Sequence, residues 1–370
     1  MISRVYAIEI LKKAIEIYTP SKQEEPLAKF IIQKAENELG FEHIYSDEVG
    51  NVIAKKGDGD PKIILCGHMD TVPGKIPVRI ENGLLYGRGA SDAKAPLIAM
   101  LLASSMVNRE YGTIIFAGLV DEEGNATGVK NLIKNKIDVD YAIFGEPSGI
   151  GNITIGYKGR LALKILCDVG DSAHASAPML AKNAIEEIYN IWQGIKYSID
   201  EENKNNDKQS LTACLTEIQG GSSHNVTPAK CSITIDIRIP TRYNTQEILN
   251  MINNVLNSIK EKHDIDIRYV IEDSTEPFEA AYNSPLVRAL VLGILDVTNK
   301  HPKLVRKTGT GDMNILGSKL KIPVVTYGPG NAYTSHSIDE HVSIDEYINS
   351  IEIFKQCIYH LSRLHRKRMR

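Results

Sequence analysis

Four short apolar runs, each followed closely by an acid, an imidazole or a glycine loop, constrain this chain most. Ile63-Ile64-Leu65-Cys66 lies between Pro61 and Gly67 and leads into His68-Met69-Asp70. Residues 113–119 lead into Asp121-Glu122-Glu123, and residues 141–144 into Gly145-Glu146-Pro147. Residues 323–327 lead into Gly328-Pro329-Gly330, with His336 just beyond. Unbroken apolar runs punctuated by Pro and Gly suit strands covered on both faces, as in a parallel sheet. Ligands of such sheets gather in the crevice beyond the carboxyl ends of the strands. Two imidazoles and several carboxylates delivered to one edge can hold two divalent metals around a water. The pattern therefore predicts a hydrolase ahead of a binding module.

Helical spacing between the runs completes an α/β layered domain. It covers 3–18 and 22–39, the second entered through Thr19-Pro20-Ser21, then 92–105, opened by Asp92, and 126–135. Asn51-Val52-Ile53-Ala54 predicts a short strand, and Asn82-Gly83 between two apolar triplets predicts a hairpin. From Gly156-Tyr157-Lys158-Gly159 the texture changes. Residues 160–169 and 231–239 alternate apolar and polar, as half-exposed antiparallel strands do. Helices near 180–196 and 245–262, a strand near 265–271 and a polar loop tip at 200–210 accompany them. The α/β pattern resumes near Glu276, with helices near 284–296 and 345–362. The expected fold is thus α/β, with a mostly parallel central sheet flanked by helices. A catalytic domain of 1–157 and 275–370 would carry an inserted α+β sandwich of 158–274.

Composition excludes several classes of function. A formal net charge of −3 offers no electrostatic case for nucleic acid. No apolar run approaches the ~20 residues that span a bilayer, so no membrane partner is expected. The N-terminal stretch reads as a surface helix and not an export signal. Five scattered cysteines without a CxxC argue against a disulfide framework or a thiolate metal site, and for a reducing cytoplasm. The basic stretch 363–370 is expected to be a solvated, frayed tail, or else a docking element for an acidic partner.

Taken singly, the polar residues are open to plainer readings. His68 has Asp70 two positions on, a spacing that could orient a metal-binding imidazole if the chain turns between them. Asp92, in Gly87-Arg88-Gly89-Ala90-Ser91-Asp92, could be a helix N-cap, or could bridge two cations with its two oxygens. Asp121-Glu122-Glu123 could be a solvated turn, or could divide metal binding and proton transfer between adjacent glutamates. Glu146 and His336 follow strands in the same way.

Together, GHMDTVP, GRGASDAK, VDEEG, GEPSG and TSHSIDEH resemble the co-catalytic zinc amidohydrolases. That family contains aminoacylase, carboxypeptidase G, acetylornithine deacetylase and succinyl-diaminopimelate desuccinylase. The resemblance covers essentially the whole chain and implies roles for its residues. His68 and Glu146 would hold one metal, Glu123 and His336 the other, and Asp92 both. Asp70 would orient His68, and Glu122 would be the general base. His174, in Ala173-His174-Ala175-Ser176, would donate to the oxyanion in a neighbouring subunit, where many relatives have Ser in place of Ala175. Asn225 and Arg238 would contact substrate, with Arg238 open to a structural ion pair instead. Thr310, Gly328 and Gly330 would line the cleft, or form ordinary turns.

The same resemblance implies two divalent metal ions, Zn²⁺ first, with Co²⁺ or Mn²⁺ fitting the donor set. It implies a homodimer through the inserted domain. IGYKGRL, DIRIP and TGTGDMN resemble the subgroup that releases lysine or ornithine from a small acidic amino-group carrier protein in lysine and arginine biosynthesis. Deacylation of a small N-acyl amino acid, a dipeptidase activity, or a non-catalytic metal-dependent binding protein are the alternatives.

Overall fold

The computed structural model describes residues 2–204 and 210–369. Of the polar stretch expected as a loop tip at 200–210, residues 205–209 lie outside the described residues; up to Asn203 it continues a helix. The chain packs as two units, one of Met1–Gly156, Glu279–Arg306 and Gly311–Arg370, the other of Tyr157–Phe278 with Lys307–Thr310. No sequence pattern marks that last return segment.

The first unit opens with helices α1 (Arg4–Glu16) and α2 (Glu25–Asn37). Strands β1 (His43–Ser46), β2 (Val52–Lys56) and β3 (Lys62–His68) follow, then the hairpin of β4 (Arg79–Glu81) and β5 (Leu84–Tyr86). Asn82 and Gly83 both have positive φ, 51° and 78°, as a type I′ turn requires. Helix α3 (Lys94–Met106), β6 (Thr113–Leu119), α4 (Thr127–Lys134), β7 (Tyr141–Gly145) and β8 (Asn152–Tyr157) complete the first stretch. The sequence expects Asp92 to open the helix and leaves it open between capping it and bridging two cations; Ala93 holds the cap position of α3 and no side chain bonds there. The Asp92 carboxylate faces two histidines instead.

In the second unit, β9 (Gly159–Asp168), α5 (Ala184–Asn203), β10 (Thr212–Gly220), β11 (Lys230–Ile239), α6 (Thr245–His263) and β12 (Asp266–Thr275) follow in turn. The strands form an antiparallel sheet in the order β10-β11-β9-β12. Alternation along β9 and β11 puts Leu161, Leu163, Ile165, Ile233, Ile235 and Ile237 on one face. They cluster with Ile188, Ile191 and Ile195 of α5 and with Ile248, Ile252 and Leu256 of α6. One apolar stripe per helix on one sheet face makes a two-layer α+β sandwich.

The chain then adds β13 (Phe278–Glu279), α7 (Pro285–Thr298), β14 (Lys303–Lys307), α8 (Asp312–Leu320), β15 (Val324–Tyr327), β16 (His341–Ser343) and α9 (Ile344–Met369). The central sheet has nine strands among the described residues, in the order β1-β2-β6-β3-β7-β15-β8-β13, with β14 beside β8. Its middle is parallel: β3 pairs with β6 and β7, and β7 with β15. Every residue of β6 and β7 is buried, as the continuous apolar runs demanded. Helix α3 is buried almost all round, so it lacks the polar face of a surface helix.

The basic stretch departs from expectation. Up to Met369 it forms the last turns of α9 and is not a frayed tail. An Arg366 guanidinium nitrogen donates to the Glu110 carbonyl, just before β6, and His365 meets the Tyr141 hydroxyl at the start of β7. These contacts lie at the amino ends of the parallel strands. His68 and Glu146 stand at the other ends, roughly 15–20 Å away at ~3.3 Å per strand residue.

Candidate metal centre

Parallel pairing aligns the chemistry. His68 is the last residue of β3 and pairs with Leu119, the last of β6; Gly145, at the end of β7, pairs with Tyr327 of β15. The segments that follow these ends carry Asp121-Glu122-Glu123, Glu146 and the loop to His336. Asp92 reaches the same edge from the turn before α3.

The His68 ring is fully buried. Its Nδ1 lies 2.9 Å from the Asp70 carbonyl oxygen and 3.5 Å from Asp70 Oδ1. Nδ1–H therefore donates to the backbone carbonyl, and Nε2 is left as the lone-pair donor. Nε2 is 3.2 Å from Asp92 Oδ1 and 3.6 Å from Glu146 Oε1. His336 Nε2 is 2.8 Å from Glu123 Oε1 and 3.4 Å from Asp92 Oδ2. The two oxygens of Asp92 thus face different imidazoles.

Asp70 does more than its spacing suggested. Its Oδ1 accepts the Glu122 N–H at 3.1 Å; its Oδ2 accepts the Glu123 N–H at 3.0 Å and the Ser21 hydroxyl at 2.7 Å. One buried carboxylate therefore fixes the backbone of both glutamates and also lies beside the ring of His68. Burial opposes its ionisation, but the His68 and Ser21 bonds and the Glu123 N–H hold its carboxyl below the usual range.

Charge is crowded here. Burial pushes the Glu122 carboxyl up to about 7, with Glu123, Asp92 and Asp70 adding to the rise and His68 opposing it. Burial likewise raises Glu123. Hydrogen bonding to Asp92, joined by the charge of Glu123, lifts His336 to about 9. Asp312, at the start of α8, is buried with one oxygen unpartnered among the described residues, and burial and Glu122 keep its carboxyl well above the ordinary range. Its sequence setting, an acid after Thr310-Gly311, did not mark it as part of this cluster.

The donor set fits two divalent cations. Ligand atoms of His68, Asp92 and Glu123 lie within 4.8 Å of one another, as do those of His68, Glu122 and Glu146. Carboxylates outnumber imidazoles, leaving negative charge that cations would balance, and Asp92 offers one oxygen to each side.

The other expected site residues divide between the two units. Gly328 and Gly330 are packing points: a Cβ on Gly328 would lie 2.8 Å from the Glu146 carbonyl oxygen, and one on Gly330 2.6 Å from Ser91 Oγ. His174, Asn225, Arg238 and Thr310 belong to the second unit. There His174 and Val226 form a backbone bridge, which brings His174 next to Asn225. Ser176 donates its N–H and places its hydroxyl at His174 Nδ1, so Nε2 carries the proton. Arg238 donates from Nε to Asp236 Oδ1 at 2.6 Å and from Nη2 to Oδ2 at 3.3 Å, an ion pair within its own strand.

A two-unit α/β protein with a histidine–carboxylate cluster at the carboxyl edge of its parallel strands belongs to the metallohydrolase class. Residues 64–360 match the model of Peptidase family M20/M25/M40, and the chain belongs to that family. A Pyrococcus furiosus protein, provisionally named a LysW-lysine/LysW-ornithine hydrolase, is 41% identical over 98% of this chain and 99% of its own length. The LysW-lysine/LysW-ornithine hydrolase of Saccharolobus solfataricus is 36% identical over 96% of both chains. Among solved structures, the aminopeptidase PepT of Bacillus cereus superposes with a TM-score of 0.82 at 20% identity, over 97% of this chain and 99% of its own. A dinuclear metal-binding M20 peptidase of Bacillus subtilis gives 0.71 at 16% identity, over 97% and 98%.

Proposed function

We propose that this metallohydrolase releases lysine, ornithine or both from the carrier protein LysW, as a step in lysine or arginine biosynthesis. The observation that carries the chemistry is Asp92 set between His68 and His336 with one oxygen toward each. His68 and Glu146 would hold one cation, Glu123 and His336 the other, and Asp92 both; Zn²⁺ suits this set, with Co²⁺ or Mn²⁺ as replacements. When bound, such a pair lowers the pKa of a water toward ~7 and polarises the amide carbonyl.

Glu122 takes the proton of the attacking water and returns it to the leaving amine. Its place beside the metal-ligand candidates, with its backbone N–H held by Asp70, suits a carboxylate that moves a proton to and from a bound water. Asp70 holds the Glu122 backbone while this happens. His174, with its proton on Nε2, donates to the oxyanion, across subunits of a homodimer. Apolar Ile185, Tyr189 and Tyr197 stand exposed on one side of α5, at spacings of four and eight, and favour association through this unit. Asn225 accepts from Ser223 on Oδ1, which leaves its amide N–H groups for substrate. Arg238 has Nη1 to offer a carboxylate beside its bond to Asp236, and Thr310, Gly328 and Gly330 would shape the cleft. Five cysteines kept as thiols suit the cytoplasm. Among the described residues, no helix is long and apolar enough to cross a membrane.

The substrate reading rests on the names of relatives alike over nearly the whole chain. Its test compares kcat/KM for LysW-linked lysine, LysW-linked ornithine and acetylornithine in one metal-loaded preparation. A carrier-linked amine should be preferred by at least ~10². Equal or better turnover of acetylornithine would replace this reading with a small N-acyl amino acid deacylase. Mixing His174→Ala with Glu122→Gln protein should restore activity if the histidine works in trans.

A further inference from the structure

The motif around His336 contains an acid, Glu340, that the chemistry above does not use. Glu340 is completely buried, although it lies in a loop. Its Oε1 accepts two consecutive backbone N–H groups, from Ser91 and Asp92, each at 3.0 Å. Its Oε2 takes Arg88 Nη1 at 2.7 Å, and Arg88 Nε donates to the Gly74 carbonyl at 2.9 Å. The Glu340 carbonyl accepts the Gly87 N–H at 3.2 Å. One residue thus holds the turn that presents Asp92 by its backbone at both ends.

The loop carrying His336 is fastened to that turn a second time, at its other end. Asn331 N–H donates to Ser91 Oγ at 3.0 Å, and Ser91 Oγ donates back to the Asn331 carbonyl at 3.2 Å. Gly330, at φ 105°, permits the approach, since a Cβ there would collide with Ser91 Oγ. His336 itself sits in a left-handed conformation, φ 63°, between the two anchors. The spacing of His336 Nε2 from Asp92 Oδ2, 3.4 Å, is therefore set from both ends of one loop against one turn.

We infer that Glu340 is a positioning residue: with Arg88 it locks the bridging carboxylate of Asp92 to His336, so that the two present a preformed shared cation site. The inference rests on the functional reading above. Removing the charge should loosen that site selectively. A glutamine at 340 keeps the volume and one acceptor, but turns an amide N–H₂ toward the Arg88 guanidinium. Partners that orient metal ligands are commonly worth about 10–100-fold in metal affinity.

The experiment titrates metal-free protein with Co²⁺, following its visible absorption and the bound stoichiometry by elemental analysis. Wild type, Glu340→Gln and the double variant Arg88→Met/Glu340→Met are compared, each with its metal-free Tm. The double variant leaves no unpaired Arg88 charge buried, so it separates loss of the ion pair from loss of the acceptor for the Ser91 and Asp92 N–H groups. The expected result is two equivalents bound by wild type and about a 10–100-fold weaker second equivalent in both variants, even where the double variant regains wild-type Tm. Unchanged affinity in Glu340→Gln, or affinity that returns together with Tm in the double variant, overturns the inference. A wild type that binds fewer than two equivalents overturns the functional reading itself, and this inference with it.

Discussion

Replacing Asp70 by asparagine should separate the proton-moving glutamate from the metal ligands. The Asp70 carboxylate accepts Glu122 N–H on one oxygen, which also lies 3.5 Å from His68 Nδ1, and Glu123 N–H and the Ser21 hydroxyl on the other. Asparagine has one acceptor oxygen, and its better rotamer keeps the pair on the second side. Its N–H₂ then meets the Glu122 N–H, so one charge-assisted bond is lost and two donors oppose. Losing a hydrogen bond to a charged group costs about 1.5–3 kcal/mol, a factor of roughly 10–150 in an equilibrium constant. Because the released amide belongs to Glu122, the loss should fall on kcat, with metal stoichiometry and KM changed far less. Urea unfolding of the metal-free protein measures the first quantity and steady-state kinetics the second. A stability change below about 0.5 kcal/mol with unaltered kcat would refute the assignment of Asp70 as the support of Glu122.

Glu122→Gln should keep both metals by elemental analysis while turnover falls by about 10²–10⁴, the usual scale of general base catalysis. Metal-dependent stabilisation should grow as pH rises from about 6 to 9. Raised folded-state pKa values at Glu122 and His336 stabilise the metal-free protein at low pH, and that contribution is lost through about 7 and 9. Cations compete with those protons, so the Tm gain on adding Zn²⁺ should be larger at pH 8 than at pH 6, and a flat gain would contradict the site's electrostatics. Asn244→Ala removes the capping box of α6, where Asn244 and Glu247 each accept the other's backbone N–H, and should cost about 1 kcal/mol in stability. Metal stoichiometry should not change with it.

What could be read from the sequence follows from where two-sided burial leaves a mark. Strands β3, β6 and β7 are covered on both faces, so they appear as unbroken apolar runs, and the acids and histidine placed after them were legible for the same reason. Edge strands such as β1 and β14 are largely exposed and carry no such run, and neither was expected. Helix α8 begins in a glycine-rich turn and is only nine residues long, too short for its periodicity to stand out. Glu340 lay inside a quoted motif yet went unassigned. A buried acid is identified by its partner, and Arg88 is 252 residues away in sequence. Arg238 was open to two readings, and only the distance to Asp236 showed that an ion pair forms.

The close of α9 has a practical use. Its last turns pack beside Glu110 and Tyr141, at the pole of the catalytic unit away from His68. A fusion partner or surface tether attached there would sit at the opposite end of the parallel strands from His68 and Glu146. Protein immobilised by that tether should keep its activity.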